Sequence, residues 1–124
     1  MAEPFVPDGP RPTQLDTAGI LRIVDEYAQA TVRANAAGFD ILEVHCAHGY
    51  LLHSFLSPLS NRRDDEWGGD LQRRMRFPLD VVRAVRGNWP SQKPLFVRIS
   101  SADGIGVGWS IEDSVEFCRQ LKSV

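Results

Sequence analysis

Ile20, Ile23, Val24, Tyr27, Thr31 and Ala34 recur at three- and four-residue steps, which predicts a helix with one apolar face. Asp16 or Thr17 can cap its start, and Gly38 can end it by adopting a left-handed conformation. The run Asp40-Ile-Leu-Glu-Val-His45 then reads as a buried strand, in which Glu43 needs a partner if it points inward. Between residues 46 and 69 no period is sustained, and Pro58, Asn61 and the Gly68–Gly69 pair interrupt the chain. So long an irregular excursion in an ordered domain is usually functional. A second helix is predicted from about Asp70 through Val81, Val82 and Val85, with a kink or irregular turn at Pro78. Pro94-Leu-Phe-Val-Arg-Ile-Ser100 reads as a second buried strand, followed by a turned loop containing Gly104, Gly106 and Gly108. Ser110, with Asp113 three residues on, predicts the start of a last helix over Ile111 to Leu121. Its expected apolar face is Ile111, Val115, Cys118 and Leu121.

The order helix, strand, long loop, helix, strand, loop, helix belongs to an α/β protein with parallel strands joined by crossovers. In that architecture chemistry sits just after the C-terminal ends of the strands. Two strands are too few for a complete parallel sheet covered on both faces. Residues 1–15, rich in Pro and Gly, read as an extended arm, and residues 16–124 as the α/β unit.

Composition narrows the function. A formal net charge of -2 gives no long-range field for nucleic acid or an anionic membrane. The arginine clusters at Arg62–Arg63 and Arg73–Arg74–Arg76 lie beside Asp64, Asp65, Glu66 and Asp70, and read as salt-bridged surface. Two distant cysteines, Cys46 and Cys118, make no disulfide framework and fit a reducing, cytoplasmic setting. No apolar run suggests a signal peptide or a bilayer span.

The candidate chemistry clusters at the first strand's end. His45 and His48 can converge on one carbonyl oxygen or small anion, each donating an N–H. Tyr50 adds a phenol able to release a proton, and Gly49 lets the backbone turn between them. Structural histidines, or a metal site drawing on Cys46 and His53, are the alternatives that spacing leaves open. Arg98, in an apolar run, needs either an anion or a structural pairing with Glu43.

The stretch Ala37 to Leu52, with H-C-A-H-G-Y-L-L at its core, closely resembles the Old Yellow Enzyme family. So do L-S-P-L-S-N from Leu56 to Asn61, Gly68–Gly69, Arg74-Met-Arg-Phe-Pro-Leu79, Val97-Arg-Ile-Ser100 and Gly108–Trp109, in the expected order from about Pro12 onward. That resemblance implies a partial (β/α)8 barrel, about its fourth and fifth strands with flanking helices. It also implies FMN at the strands' C-terminal ends, recharged by NADH or NADPH, and a small-molecule substrate, an alkene activated by a carbonyl. Carried over, His45 and His48 hold the substrate's carbonyl oxygen, Tyr50 protonates the α-carbon, and Arg98 lies beside the flavin. His48, where other members have Asn, resembles the bacterial, thermophilic-like branch, and Trp67 stands where Tyr is usual. A barrel of this type takes eight strands and roughly 250 residues. The expectation is therefore an internal fragment that binds FMN weakly or not at all alone. The alternative is a non-catalytic remnant, persisting as a homo-oligomer or by association with the missing barrel segments.

Overall fold

A computed structural model describes residues 6–124; the first five residues of the expected arm lie outside it. Residues 6–15 form no helix or strand, yet Leu15 packs against the core and its carbonyl accepts from Arg63 Nη1 at 2.7 Å. The elements that follow are α1 (Thr17–Ala36), β1 (Leu42–Cys46), α2 (Leu51–Leu56), α3 (Leu71–Asn88), β2 (Leu95–Ile99) and α4 (Ile111–Leu121).

Local chemistry accounts for their ends. Asp16 accepts from the Gly19 N–H at 2.7 Å, capping α1, which closes with Gly38 at φ +84°. Asp70 caps α3 in the same way through the Arg73 N–H. Ser110 and Asp113 form a full reciprocal capping box at the start of α4. At the end of α3, Arg86 donates to the carbonyls of Trp89 and Pro90, which satisfies groups the helix leaves behind.

β1 and β2 pair in parallel, with Leu42 opposite Leu95 and His45 opposite Arg98. Strand alternation splits their residues between two faces. Leu42, Val44, Cys46, Leu95, Val97 and Ile99 join the core with Ile20, Phe55, Phe77, Val81 and Phe117. Phe77 is fully buried against Phe55, ring centroids 4.6 Å apart, and its burial contributes about 2–3 kcal/mol. Helices α1 and α2 both pack on α3, which carries the crossover between the strands. On the opposite face, Glu43, Phe96 and Arg98 are exposed and His45 is half-buried.

Five expectations change here. The strands are buried on one face only, because apolar Phe96 continues the run while facing outward. The excursion after β1 contains α2, six residues long and too short to show a period. Helix α3 runs unbroken through Pro78, whose ring is buried in the core. The buried side of α4 is Ser114 and Phe117, whereas Ile111, Val115 and Cys118 are exposed. The Trp109 indole, edge-on to Phe117 and donating to Ser114 Oγ at 2.7 Å, fixes that rotation. Finally, Arg74 is not surface: it is buried and donates to the carbonyls of Leu56 and Gly69, while Arg63, Arg73 and Arg76 do pair with Asp65, Asp70 and Glu66.

Candidate active site

His45 occupies the fourth position of β1, on the uncovered face. Two residues on, the chain makes a tight reversal. His48 takes φ +62° and Gly49 φ +75°, two successive left-handed residues. For His48 this conformation carries strain of ~1–2 kcal/mol. What holds it is the neighbouring strand's end: the His48 N–H donates to Ser100 Oγ at 3.0 Å. The Tyr50 N–H closes the turn on the Ala47 carbonyl.

The turn folds both following rings back onto His45. Its imidazole centroid lies 5.1 Å from that of His48 and 5.5 Å from that of Tyr50, both in edge-to-face contact. His45 Nδ1 accepts the Ala47 N–H at 3.2 Å. A neutral ring with Nδ1 as acceptor carries its proton on Nε2, leaving a donor for an incoming oxygen. The Tyr50 phenol is mostly exposed.

Across the ladder, Arg98 stands in register with His45 on the same face. The structural pairing with Glu43 does not form, since Glu43 lies opposite Phe96, and the guanidinium has no ion pair among the described residues. A cation there is open to an anionic partner. The metal alternative also fails on geometry. Cys46 points to the other face of β1, where burial pushes its thiol up to about 12, and no group of three ligands forms among the described residues.

Sequence reasoning missed a second cluster beneath the turn. His53, buried in α2, has Nε2 2.8 Å from Asp103 Oδ1 and accepts the Gly49 N–H on Nδ1 at 3.3 Å. Asp103 Oδ2 also accepts from Ser57 Oγ at 2.6 Å and from the Trp109 N–H at 2.7 Å. Burial opposes ionisation of Asp103, but the hydrogen bonds from Ser57, Trp109 and His53 hold its carboxyl below the usual aspartate value. The partners lie some fifty positions apart in sequence, so no local pattern announces them. A separate cavity of about 200 Å³, lined by Leu15, Gly49, Phe55, Asn61 and Arg63 among others, touches the site only through Gly49.

Residues 6–124 match the NADH:flavin oxidoreductase / NADH oxidase family. The chain belongs to it. It is 46% identical over 121 residues to an NADPH dehydrogenase of Bacillus velezensis, covering 98% of this chain and 35% of that protein. With the NADPH dehydrogenase of Bacillus subtilis the identity is 43% over 111 residues, covering 90% and 32%. The chain thus spans about a third of the length of the curated relatives it matches. Among solved structures, a 2-naphthoyl-CoA reductase in complex with 2-naphthoyl-CoA superposes with a TM-score of 0.90 at 26% identity, covering 99% of this chain and 18% of that one. Morphinone reductase matches with a TM-score of 0.69 at 43% identity, covering 73% and 24%. These likenesses bear out the expected fold: the two strands and their helices form part of a (β/α)8 barrel.

Proposed function

We propose that this chain carries the substrate-holding and proton-donating part of an FMN-dependent, NADPH- or NADH-fed reductase of alkenes conjugated to a carbonyl. One observation carries the reading. In a member of a flavin oxidoreductase family, two imidazoles and a phenol converge at a strand's tip, with an arginine that has no ion pair among the described residues in register beside them. The donor set fits an anionic, planar ring system better than a metal. Arg98 is the residue that would hold FMN, and its cation favours negative charge on the ring.

FMN, when bound, would supply hydride drawn from the nicotinamide to the alkene's β-carbon, so that negative charge would develop at the carbonyl oxygen. His45, through its Nε2–H, and His48 donate hydrogen bonds to that oxygen, and such aimed donors lower the barrier where charge develops. Tyr50 completes the addition by giving its phenolic proton to the α-carbon. The C=C bond becomes a C–C bond, and the phenol is restored from water. Two free cysteines and a nicotinamide donor suit a cytoplasmic setting.

The test is Tyr50→Phe at saturating FMN, with the two half-reactions followed separately by stopped flow. The alkene half-reaction should slow by about 10²-fold or more, as for loss of a general acid, while flavin reduction by NADPH is spared. Equal loss in both halves contradicts the assignment.

A second reading, a non-catalytic remnant that persists by association, is favoured by the exposure of Phe96, Ile41, Ile105 and Val107. A concentration-independent monomer with a cooperative melt would exclude it.

A further inference from the structure

The His53–Asp103 pair is the most deeply buried ion pair among the described residues, and the proposed chemistry leaves it unused. The two side chains are 7% and 11% exposed. Asp103, held as a carboxylate by its donors, has no proton to give, so the 2.8 Å contact requires His53 to donate Nε2–H. In the neutral ring that leaves Nδ1 bare, and it is Nδ1 that meets the Gly49 N–H. The two ring contacts are consistent with one tautomer only.

Gly49 is the second of the two left-handed residues, and the N–H of the first, His48, rests on Ser100. The turn that aims His48 and Tyr50 is therefore pinned at two successive peptide groups, both from partners outside it. We infer that Asp103, by fixing the His53 tautomer, makes the pair a positioning device that keeps the His48–Gly49 turn left-handed and so sets where the His48 imidazole stands. The link to substrate rests on the reading under Proposed function; the geometry of the pair does not. A hydrolytic Ser–His–Asp arrangement is excluded by the bond order. Ser57 Oγ donates to Asp103 and not to His53, and both His53 nitrogens are engaged, so nothing activates the serine.

Asp103→Asn tests this with almost no change of shape. The amide oxygen can replace Oδ2 and keep the bonds from Ser57 and Trp109. The NH2 then replaces Oδ1 and donates to His53 Nε2, forcing the ring proton onto Nδ1, against the Gly49 N–H. The ¹⁵N spectrum of His53 should change from protonated Nε2 to protonated Nδ1. The Gly49 amide should exchange about five- to tenfold faster, the loss of one ordinary hydrogen bond, with the Trp109 amide still protected. At saturating FMN, KM for 2-cyclohexenone should rise more than kcat falls. An unchanged Gly49 amide after the proton has moved overturns the inference. So does equal loss of protection at Gly49 and Trp109, which would mark a merely structural contact. Should this variant fail to fold, His53→Asn and His53→Leu decide instead. The Asn oxygen can reach the place of Nδ1, so Gly49 stays protected in the first and not in the second; equal exchange in both overturns the pair. If the unaltered chain turns over no enone, the functional reading fails, and the ring-nitrogen and Gly49 measurements still decide the pair.

Discussion

Asn61 ties the irregular segment between α2 and α3 together, and its replacement by Asp tests that role. Its side chain is 7% exposed. Nδ2 donates to the carbonyls of Phe55 at 2.7 Å and Trp67 at 2.8 Å, and Oδ1 accepts the Arg63 N–H at 3.2 Å. One amide thus joins the last turn of α2 to the backbone at Arg63 and Trp67. Asn61→Ala removes three hydrogen bonds at ~1 kcal/mol each, so about 3 kcal/mol is lost. Asn61→Asp keeps the volume and the acceptor for Arg63, but sets a carboxylate oxygen against two carbonyls where an NH2 had been. It should cost more than the Ala variant at pH 7, about 4–5 kcal/mol, by leaving a buried charge with no donor on that side.

The two variants separate by pH. The introduced carboxyl has its folded pKa raised, since its protonated form can donate to one of the two carbonyls. A raised pKa means stability that is full below the unfolded value of ~3.9 and is lost as pH rises through the folded value. The deficit of Asn61→Asp should therefore shrink between pH 7 and pH 5, while that of Asn61→Ala stays constant. Urea unfolding read by tryptophan fluorescence suits the measurement, because Trp67, Trp89 and Trp109 are all buried. Equal deficits for the two variants at both pH values would refute the reasoning.

Three further outcomes follow from packing. Burial of Cys46 holds its thiol unreactive, so a native chain should take one maleimide, on exposed Cys118, and a second only in urea. With the folded thiol pushed up to about 12, its contribution to stability is full below the unfolded value of ~8.5 and fades as pH rises toward 12; Cys46→Ala should flatten that alkaline decline in denaturant midpoint. Gly68 has ordinary φ, but a Cβ there would come within 2.4 Å of Arg63 Cβ and 2.5 Å of its carbonyl. Gly68→Ala should thus lower the urea midpoint by the equivalent of about 1–3 kcal/mol, and an unchanged midpoint would show that the Arg63 backbone can give way at this point.

Much of this was legible in the chain, and the reasons differ by element. Caps are local, so Asp16, Gly38 and the Ser110–Asp113 box could be read directly and occur as expected. The grouping of His45, His48 and Tyr50 was readable because a strand end and a glycine turn bring near neighbours together. What stayed hidden depends on distant partners. The rotation of α4 is set by Trp109, outside the helix, and the role of His53 by Asp103, in the other loop. A histidine placed on the inner side of six helical residues was the one available signal, and a segment that short gives no reliable period.

The uncovered sheet face has two levels along the strands: Glu43 beside Phe96, then His45 beside Arg98 nearer the C-terminal ends. Phe96 is 53% exposed here, and burying its ring would contribute about 2 kcal/mol. Parallel sheets of this class are covered on both faces, and barrel interiors fill in layers. The helices already occupy the other face, so whatever covers this one must meet Phe96 first and His45 and Arg98 above it. An apolar ring thus stands at the lower level, and a cation and an imidazole stand at the upper level, nearer the strands' C-terminal ends. On the reading under Proposed function, Phe96 would form the floor of the site and Arg98 its wall, with Val97 between them turned to the core.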